Sequence, residues 1–337
     1  MALQHVLPFE KDIVAMGELL ARLEAKHGEA DPSAAASSDD EIRRIRRELA
    51  NLTRKTYSSL SPWDTVLVSR HPQRPQTVDY ISMIFNDFVE LHGDRAIGDD
   101  RAIRCGFARL GDYKVMLIGH QKGHTLKERN ECLYGCAHPE GYRKAMRCMK
   151  LAAKHRLPIV CFIDTPGAYP GIGAEERGQA QLIATSLLEM SRTPTPIVCV
   201  VIGEGGSGGA LGIGIGDRVA MLEFAYYSVI SPEGCAGILW KEANEQTKRL
   251  AAEALKLTSK DLFRLGVIDN IIPEPIGGAH RDSAGMGNTL RAYLERYLRE
   301  LSSKSLAQLL EERYQKFRRM GVYEEGVTAR LSQTPSA

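Results

Sequence analysis

The residues of this chain best suited to chemistry are glycines. Between Thr195 and Gly214 a β-branched run (Ile197, Val198, Val200, Val201, Ile202) passes without a break into Gly203-Glu204-Gly205-Gly206-Ser207-Gly208-Gly209. A short strand that feeds a glycine-rich turn and then a small-residue helix leaves backbone N–H groups free, and it removes the Cβ atoms that would hold a ligand away. Three ligands compete for those donors. A dinucleotide pyrophosphate matches Gly203, Gly205 and Gly208, with Glu223 as the later acid. A serine hydrolase matches Gly205-Gly206-Ser207-Gly208-Gly209, with Asp269 and His280 downstream. An oxyanion hole that polarises a carbonyl needs no protein nucleophile at all.

A second segment favours the oxyanion hole. Pro158 to Asp164 reads as a buried strand, Thr165 to Gly173 as a glycine-rich loop, and Ala174 to about Met190 as a helix with acids in its first turn. Strand, loop and helix thus occur twice. Two parallel units would set two groups of loop amides side by side at one end of a sheet. On residue type alone, the plain alternative that these glycines serve only as turns stays open.

Taken together, Asp164–Gly171, Gly203–Ala210 and Tyr227–Ala236 resemble the carboxyltransferase alpha subunits of bacterial acetyl-CoA carboxylase. The resemblance extends through Glu90–Arg95, Gly119–Gly123, Pro139–Ala145 and Ile272–His280, and covers most of residues 60–320. It implies a crotonase-like α/β spiral of ββα units with helical N- and C-terminal extensions. It also implies transfer of a carboxyl group from carboxybiotin, carried on a biotin carboxyl carrier protein, to acetyl-CoA, giving malonyl-CoA for fatty acid synthesis. The implied partners are a beta subunit in an alpha2beta2 assembly, the carrier protein and a biotin carboxylase, which alone uses ATP. Zinc belongs to the beta subunit and no metal is expected in this chain.

The reaction develops negative charge on the biotin carbonyl oxygen and on the thioester enolate of acetyl-CoA. Both can be stabilised by preorganised amides, and the ureido nitrogen freed as CO2 departs can take the proton from the acetyl methyl group, so no acid–base side chain is needed at the centre. By resemblance, the Gly205 and Gly206 amides serve the biotin carbonyl, and Gly167 and Ala168 shape the same pocket. Arg177 could hold a carboxylate through its planar fork, or pair structurally with Glu175, Glu176 or Asp164. Lys122 could meet a CoA phosphate, although an exposed, solvated lysine is the plainer reading. His120 and His280 read as structural hydrogen-bonding residues, and Ser207 as a helix-start residue. The other classes kept open are a serine hydrolase using Ser207 and a non-catalytic scaffold.

Composition is compatible with this reading. The 337 residues carry 44 Lys and Arg against 42 Asp and Glu, a net charge of +2, which gives no reason to invoke nucleic acid or an anionic membrane. No apolar run reaches the ~18 residues of a membrane span, and the N-terminus lacks a signal-peptide core. Seven scattered cysteines argue against a disulfide framework and for the cytoplasm. Cys132 and Cys136, near His124 and His138, make a poor zinc site because a second ligand pair is missing.

Three parts are expected along the chain. Residues 1–75 form a helical extension with a flexible linker at about 28–38, residues 76–300 the carboxyltransferase domain, and residues 301–337 a helix with a disordered tail. Helical periodicity marks residues 9–26 and 39–54, then Tyr80 to Leu91, Gly141 to His155, Leu290 to Leu301 and Ser305 to Met320. Strands are expected at Arg104–Leu110, Lys114–His120, Asp217–Leu222, Tyr226–Ile230 and Val267–Ile272, with a turn at Gly111-Asp112. Pro232 opens a helix through Trp240. Gly123 to Glu140 lacks a period and reads as a mobile loop.

Overall fold

Strands β1 (Asn86–Glu90), β2 (Ile103–Leu110) and β3 (Tyr113–His120) pair antiparallel, with a two-residue hairpin turn joining β2 to β3. The remaining strands are parallel: β4 (Ile159–Thr165), β5 (Ile197–Gly206), β6 (Arg218–Leu222), β7 (Tyr226–Ser228) and β8 (Asn270–Ile272). The computed structural model describes residues 5–28 and 35–322, and within them the sheet runs β1-β2-β3-β4-β5-β6-β8. β5 pairs with β6 through Val198–Val201 and with β7 through Glu204–Gly206, so both lie along one edge of β5 while β4 holds the other.

Every residue of β4 and β5 is buried. This is why both read as unbroken apolar runs rather than alternating ones. Each buried Val or Ile there contributes roughly 1.5–3 kcal/mol relative to exposure. Helices Pro139–Lys154, Gln179–Arg192 and Ser283–Ser302 cover the sheet, with Tyr142, Met149, Met190, Leu290 and Leu298 in one core with Phe162 and Val200.

The first and last helices are tied to this body. Leu7, Ile13, Tyr57 and Val68 cluster with Phe224. The buried Glu10 carboxylate accepts from Tyr57 Oη (2.7 Å) and Arg281 Nη2 (2.5 Å). Helix Pro62–Ser69 packs Trp63 and Val66 against Tyr226 and Leu257, which brings Arg70 and Arg74 to the end of β5. Arg313, on helix Leu306–Arg318, is fully buried; it bonds both Asp217 oxygens (2.8 and 2.7 Å) and the carbonyls of Met190, Thr193 and Thr195.

Several expectations change. The Tyr80–Leu91 helix is instead helix Thr77–Ile84 followed by β1, because Phe85 turns extended and the next residues pair with β2. The 123–140 loop is ordered: Thr125 and Glu128 form a reciprocal cap on helix Leu126–Glu131, and a second helix begins at Pro139. The 174–190 helix is two helices, Ile172–Glu176 and Gln179–Arg192, separated at Gly178 with φ 81°. Helices Glu245–Leu255 and Ser259–Arg264, capped by Asn244 and Thr258, went unread in the sequence. Residues 203–206 are strand rather than turn, held by β7 on one side and β4 on the other. The linker expected at 28–38 lies mostly outside the described residues, with the backbone helical again from Ala35; the tail expected to be disordered also lies outside them. No helix among the described residues is long and apolar enough to cross a membrane.

Candidate active site

The two glycine-rich segments meet backbone to backbone. A Cβ on Gly206 would lie 2.1 Å from the Pro166 carbonyl oxygen and 2.8 Å from the Gly167 nitrogen. One on Gly209 would lie 2.5 Å from the Ala168 nitrogen. Only glycine permits an approach this close. Gly205 backs onto the Tyr227 ring, 2.8 Å from a built Cβ. Gly167 differs, since a Cβ there would meet nothing within 4 Å and its exposed side is open space. The structure therefore brings Gly205, Gly206, Gly167 and Ala168 together at the C-terminal ends of β4 and β5. Gly206 is extended (φ −89°, ψ 115°), so its requirement for glycine is close packing and not left-handed backbone. Ser207 is the left-handed residue (φ 45°), exposed at the start of the short helix Ser207–Leu211.

A cavity of about 370 Å³ adjoins the turns, its wall including Asp164, Pro166 and Glu204, with Arg70, Lys122 and Tyr134. Its charges are interlocked. Lys122 Nζ lies 2.7 Å from Asp164 Oδ1 and 2.5 Å from Glu204 Oε2. Arg70 donates to Glu204 Oε1 (2.6 Å) and Glu233 Oε1 (2.5 Å), and Tyr226 Oη donates to Glu204 Oε1 (2.8 Å). Burial alone would raise the Glu204 pKa, but the Lys122 and Arg70 cations outweigh it and hold the carboxyl at about 2. Burial works against the Lys122 ammonium, and the two carboxylates reverse this, so its pKa is raised. The lysine side chain is 17 % exposed, which overturns the expectation of a solvated surface residue.

The Arg177 fork is engaged by Glu140, at 2.7 Å from Nε and 3.2 Å from Nη2, and not by Glu175, Glu176 or Asp164. His120 is buried, and burial, then the Lys122 charge, pushes it down to about 3 against a smaller opposing effect of the Phe162 backbone. His280 stacks on His71 at 4.0 Å, and burial lowers it to about 2. Both histidines are buried and neutral, and His280 makes no ring hydrogen bond of the kind expected of it. Asp269 accepts from Lys316 and the Val219 N–H, so Ser207, His280 and Asp269 form no relay. Glu223 accepts from the Glu274 N–H. Among the described residues no group of His, Cys, Asp and Glu is arranged to hold a metal ion.

Sequence reasoning missed the Arg70–Glu204–Tyr226 cluster. Its members lie 134 and 22 residues apart in sequence, a spacing without a local pattern. The Thr125/Glu128 cap was missed as well, although Thr and Glu three residues apart are a local capping signature.

Comparison with known proteins agrees with this geometry. A model of the family described as acetyl co-enzyme A carboxylase carboxyltransferase-like matches residues 6–321. The acetyl-coenzyme A carboxylase carboxyl transferase subunit alpha of Rhodopirellula baltica is 58% identical over 95% of this chain and 98% of its own length. That of Methylococcus capsulatus is 54% identical over 96% and 98%. Among solved structures, the transcarboxylase 12S core with methylmalonyl-coenzyme A bound superposes with a TM-score of 0.51 at 21% identity, over 65% of this chain and 42% of that one. The beta subunit of Pseudomonas aeruginosa geranyl-CoA carboxylase gives 0.52 at 14%, over 76% and 45%. The chain thus spans under half the length of these solved chains, and at such identities the likeness concerns the fold, which is crotonase-like. Two glycine turns locked together on that fold, in a sequence more than half identical to full-length relatives, place the chain in the family of acetyl-coenzyme A carboxylase carboxyltransferase alpha subunits.

Proposed function

We propose that this chain is the alpha half of a carboxyltransferase that moves a carboxyl group from carboxybiotin to acetyl-CoA, yielding malonyl-CoA for fatty acid synthesis. The observation that carries the reading is the contact of the Gly206 and Gly209 backbones with Pro166–Ala168, beside a cavity and with the Gly167 side left open. Carboxybiotin, when bound, supplies the activated carboxyl group. The Gly205 and Gly206 N–H groups would donate to its carbonyl oxygen, and an oxyanion donor of this kind is worth roughly 3–4 kcal/mol. Gly167 and Ala168 would form the adjoining wall, where a side chain would obstruct the ligand. The locked backbone means these donors need no reorganisation as charge develops.

The partners proposed are a beta subunit carrying zinc and the second half of the site in an alpha2beta2 assembly, a biotin carboxyl carrier protein, and an ATP-using biotin carboxylase. Seven free cysteines support a cytoplasmic setting. The test is reconstitution with biotin and malonyl-CoA. The chain alone should give no carboxyl transfer, and addition of the beta subunit should restore it. Full activity from the single chain would overturn the shared-site reading; an assembled but inactive complex would overturn the transferase reading.

A further inference from the structure

We propose that Lys122 is a positioning residue that locks the two glycine turns together by bridging Asp164 and Glu204, the acids that lead into them. The inference rests on the reading of Gly205 and Gly206 as oxyanion donors.

The need for such a lock is visible in the strand register. Ile163 lies opposite Val201, yet Thr165 lies opposite Gly205, so two steps along β4 are matched by four along β5. β5 therefore bulges between these pairs, immediately before the proposed donors. Within the bulge, the Glu204 N–H is satisfied by a side chain, donating to Asp164 Oδ1 at 2.9 Å. A Cβ on Gly203 would lie 2.4 Å from the same oxygen, so the bulge can close onto Asp164 only as glycine. The direction in which Gly205 and Gly206 leave the bulge thus depends on where the Asp164 carboxylate sits.

That carboxylate shares its surroundings with Glu204, and two buried acids this close repel unless a cation lies between them. Lys122 is that cation, contacting one oxygen of each. Arg70 cannot take its place because its contacts go to Glu204, Glu233 and Tyr226. Lys122 follows β3 by two residues, so a single side chain ties the ends of β3, β4 and β5. Gly135 lies against its stem and is the last of three successive residues, Leu133-Tyr134-Gly135, with positive φ (50°, 55° and 86°). A Cβ on Gly135 would lie 3.0 Å from Lys122 Cγ and 2.9 Å from the Asp164 carbonyl oxygen. Strained backbone of this kind persists where its surroundings over-determine it.

The test uses the alpha–beta complex. Lys122→Met should assemble, lower kcat for carboxyl transfer by about 100-fold through misplacement of the donors, and leave KM for malonyl-CoA near wild type. Hydrogen exchange of the backbone across residues 203–209 should accelerate in the same variant. Asp164→Asn keeps the side-chain shape but weakens the ion pair; it should give a smaller fall, about tenfold, and it decides the matter if Lys122→Met does not assemble. Wild-type kcat in an assembled variant, a raised KM with kcat unchanged, or a lowered kcat with unchanged exchange at 203–209 would each overturn the clamp. If the wild-type complex itself shows no transfer, the functional reading fails, while the exchange measurement still decides the clamp.

Discussion

A Cβ built on Gly206 falls 2.1 Å from the carbonyl oxygen of Pro166. The overlap is with backbone, which cannot rotate away as a side chain would, so any residue other than glycine must push the two turns apart.

Gly206→Val should therefore damage both function and stability. Overpacking costs about 1–3 kcal/mol, and misplacing one oxyanion donor costs on the order of 100- to 1,000-fold in rate. Gly208→Ala is the control, since its Cβ would meet only the Ile183 side chain, at 3.4 and 3.8 Å. It should unfold at a temperature near wild type and keep most of the transfer rate. Thermal unfolding and single-turnover transfer, measured side by side on both variants, check this.

Ser207→Ala should keep carboxyl transfer within about tenfold of wild type, whereas removing a true serine nucleophile costs on the order of a million-fold. The left-handed serine has neither His280 nor Asp269 as a relay. Steady-state kinetics of the assembled variant decide between these outcomes.

Arg177→Lys should leave transfer kinetics nearly unchanged and lower thermal stability slightly. Its fork already holds both Glu140 oxygens, and a lysine would lose one of the two parallel hydrogen bonds. A large fall in transfer from malonyl-CoA, with the melting temperature unchanged, would return Arg177 to the substrate.

Acid should weaken the fold through Glu204. Its carboxyl is held at about 2 in the folded chain against 4.5 in the unfolded one. A depressed folded value stabilises fully above the unfolded pKa and loses that stabilisation as pH falls towards the folded pKa. The loss, up to about 3 kcal/mol, therefore falls between pH 4.5 and 2. Urea unfolding followed down through this window should show a shallower decline for Glu204→Gln than for wild type.

Arg313→Met should destabilise the chain by about 3–5 kcal/mol, the typical consequence of breaking a buried pair from one side. It removes the cation from buried Asp217 and a donor from the carbonyls of Met190, Thr193 and Thr195. Chemical denaturation, with proteolysis mapped to helix Leu306–Arg318, reads both the loss and its location.

The sequence by itself determined those features whose cause is local. The apolar runs of β4 and β5 announce fully buried parallel strands, the Gly111-Asp112 hairpin joins β2 to β3 as expected, and the two glycine segments identify the family and the end of the sheet that matters. What only the tertiary structure decided is where those segments point and what holds them. Residues 203–206 became strand because β7 and β4 supply partners from elsewhere in the chain, and Asn86–Glu90 left the helical pattern for the same reason. Lys122 looked like a surface lysine because its partners, Asp164 and Glu204, are 42 and 82 residues away. A charge whose neutralising partners lie that far along the chain carries no local mark of being buried, since burial and pairing arise together only when the strand ends converge.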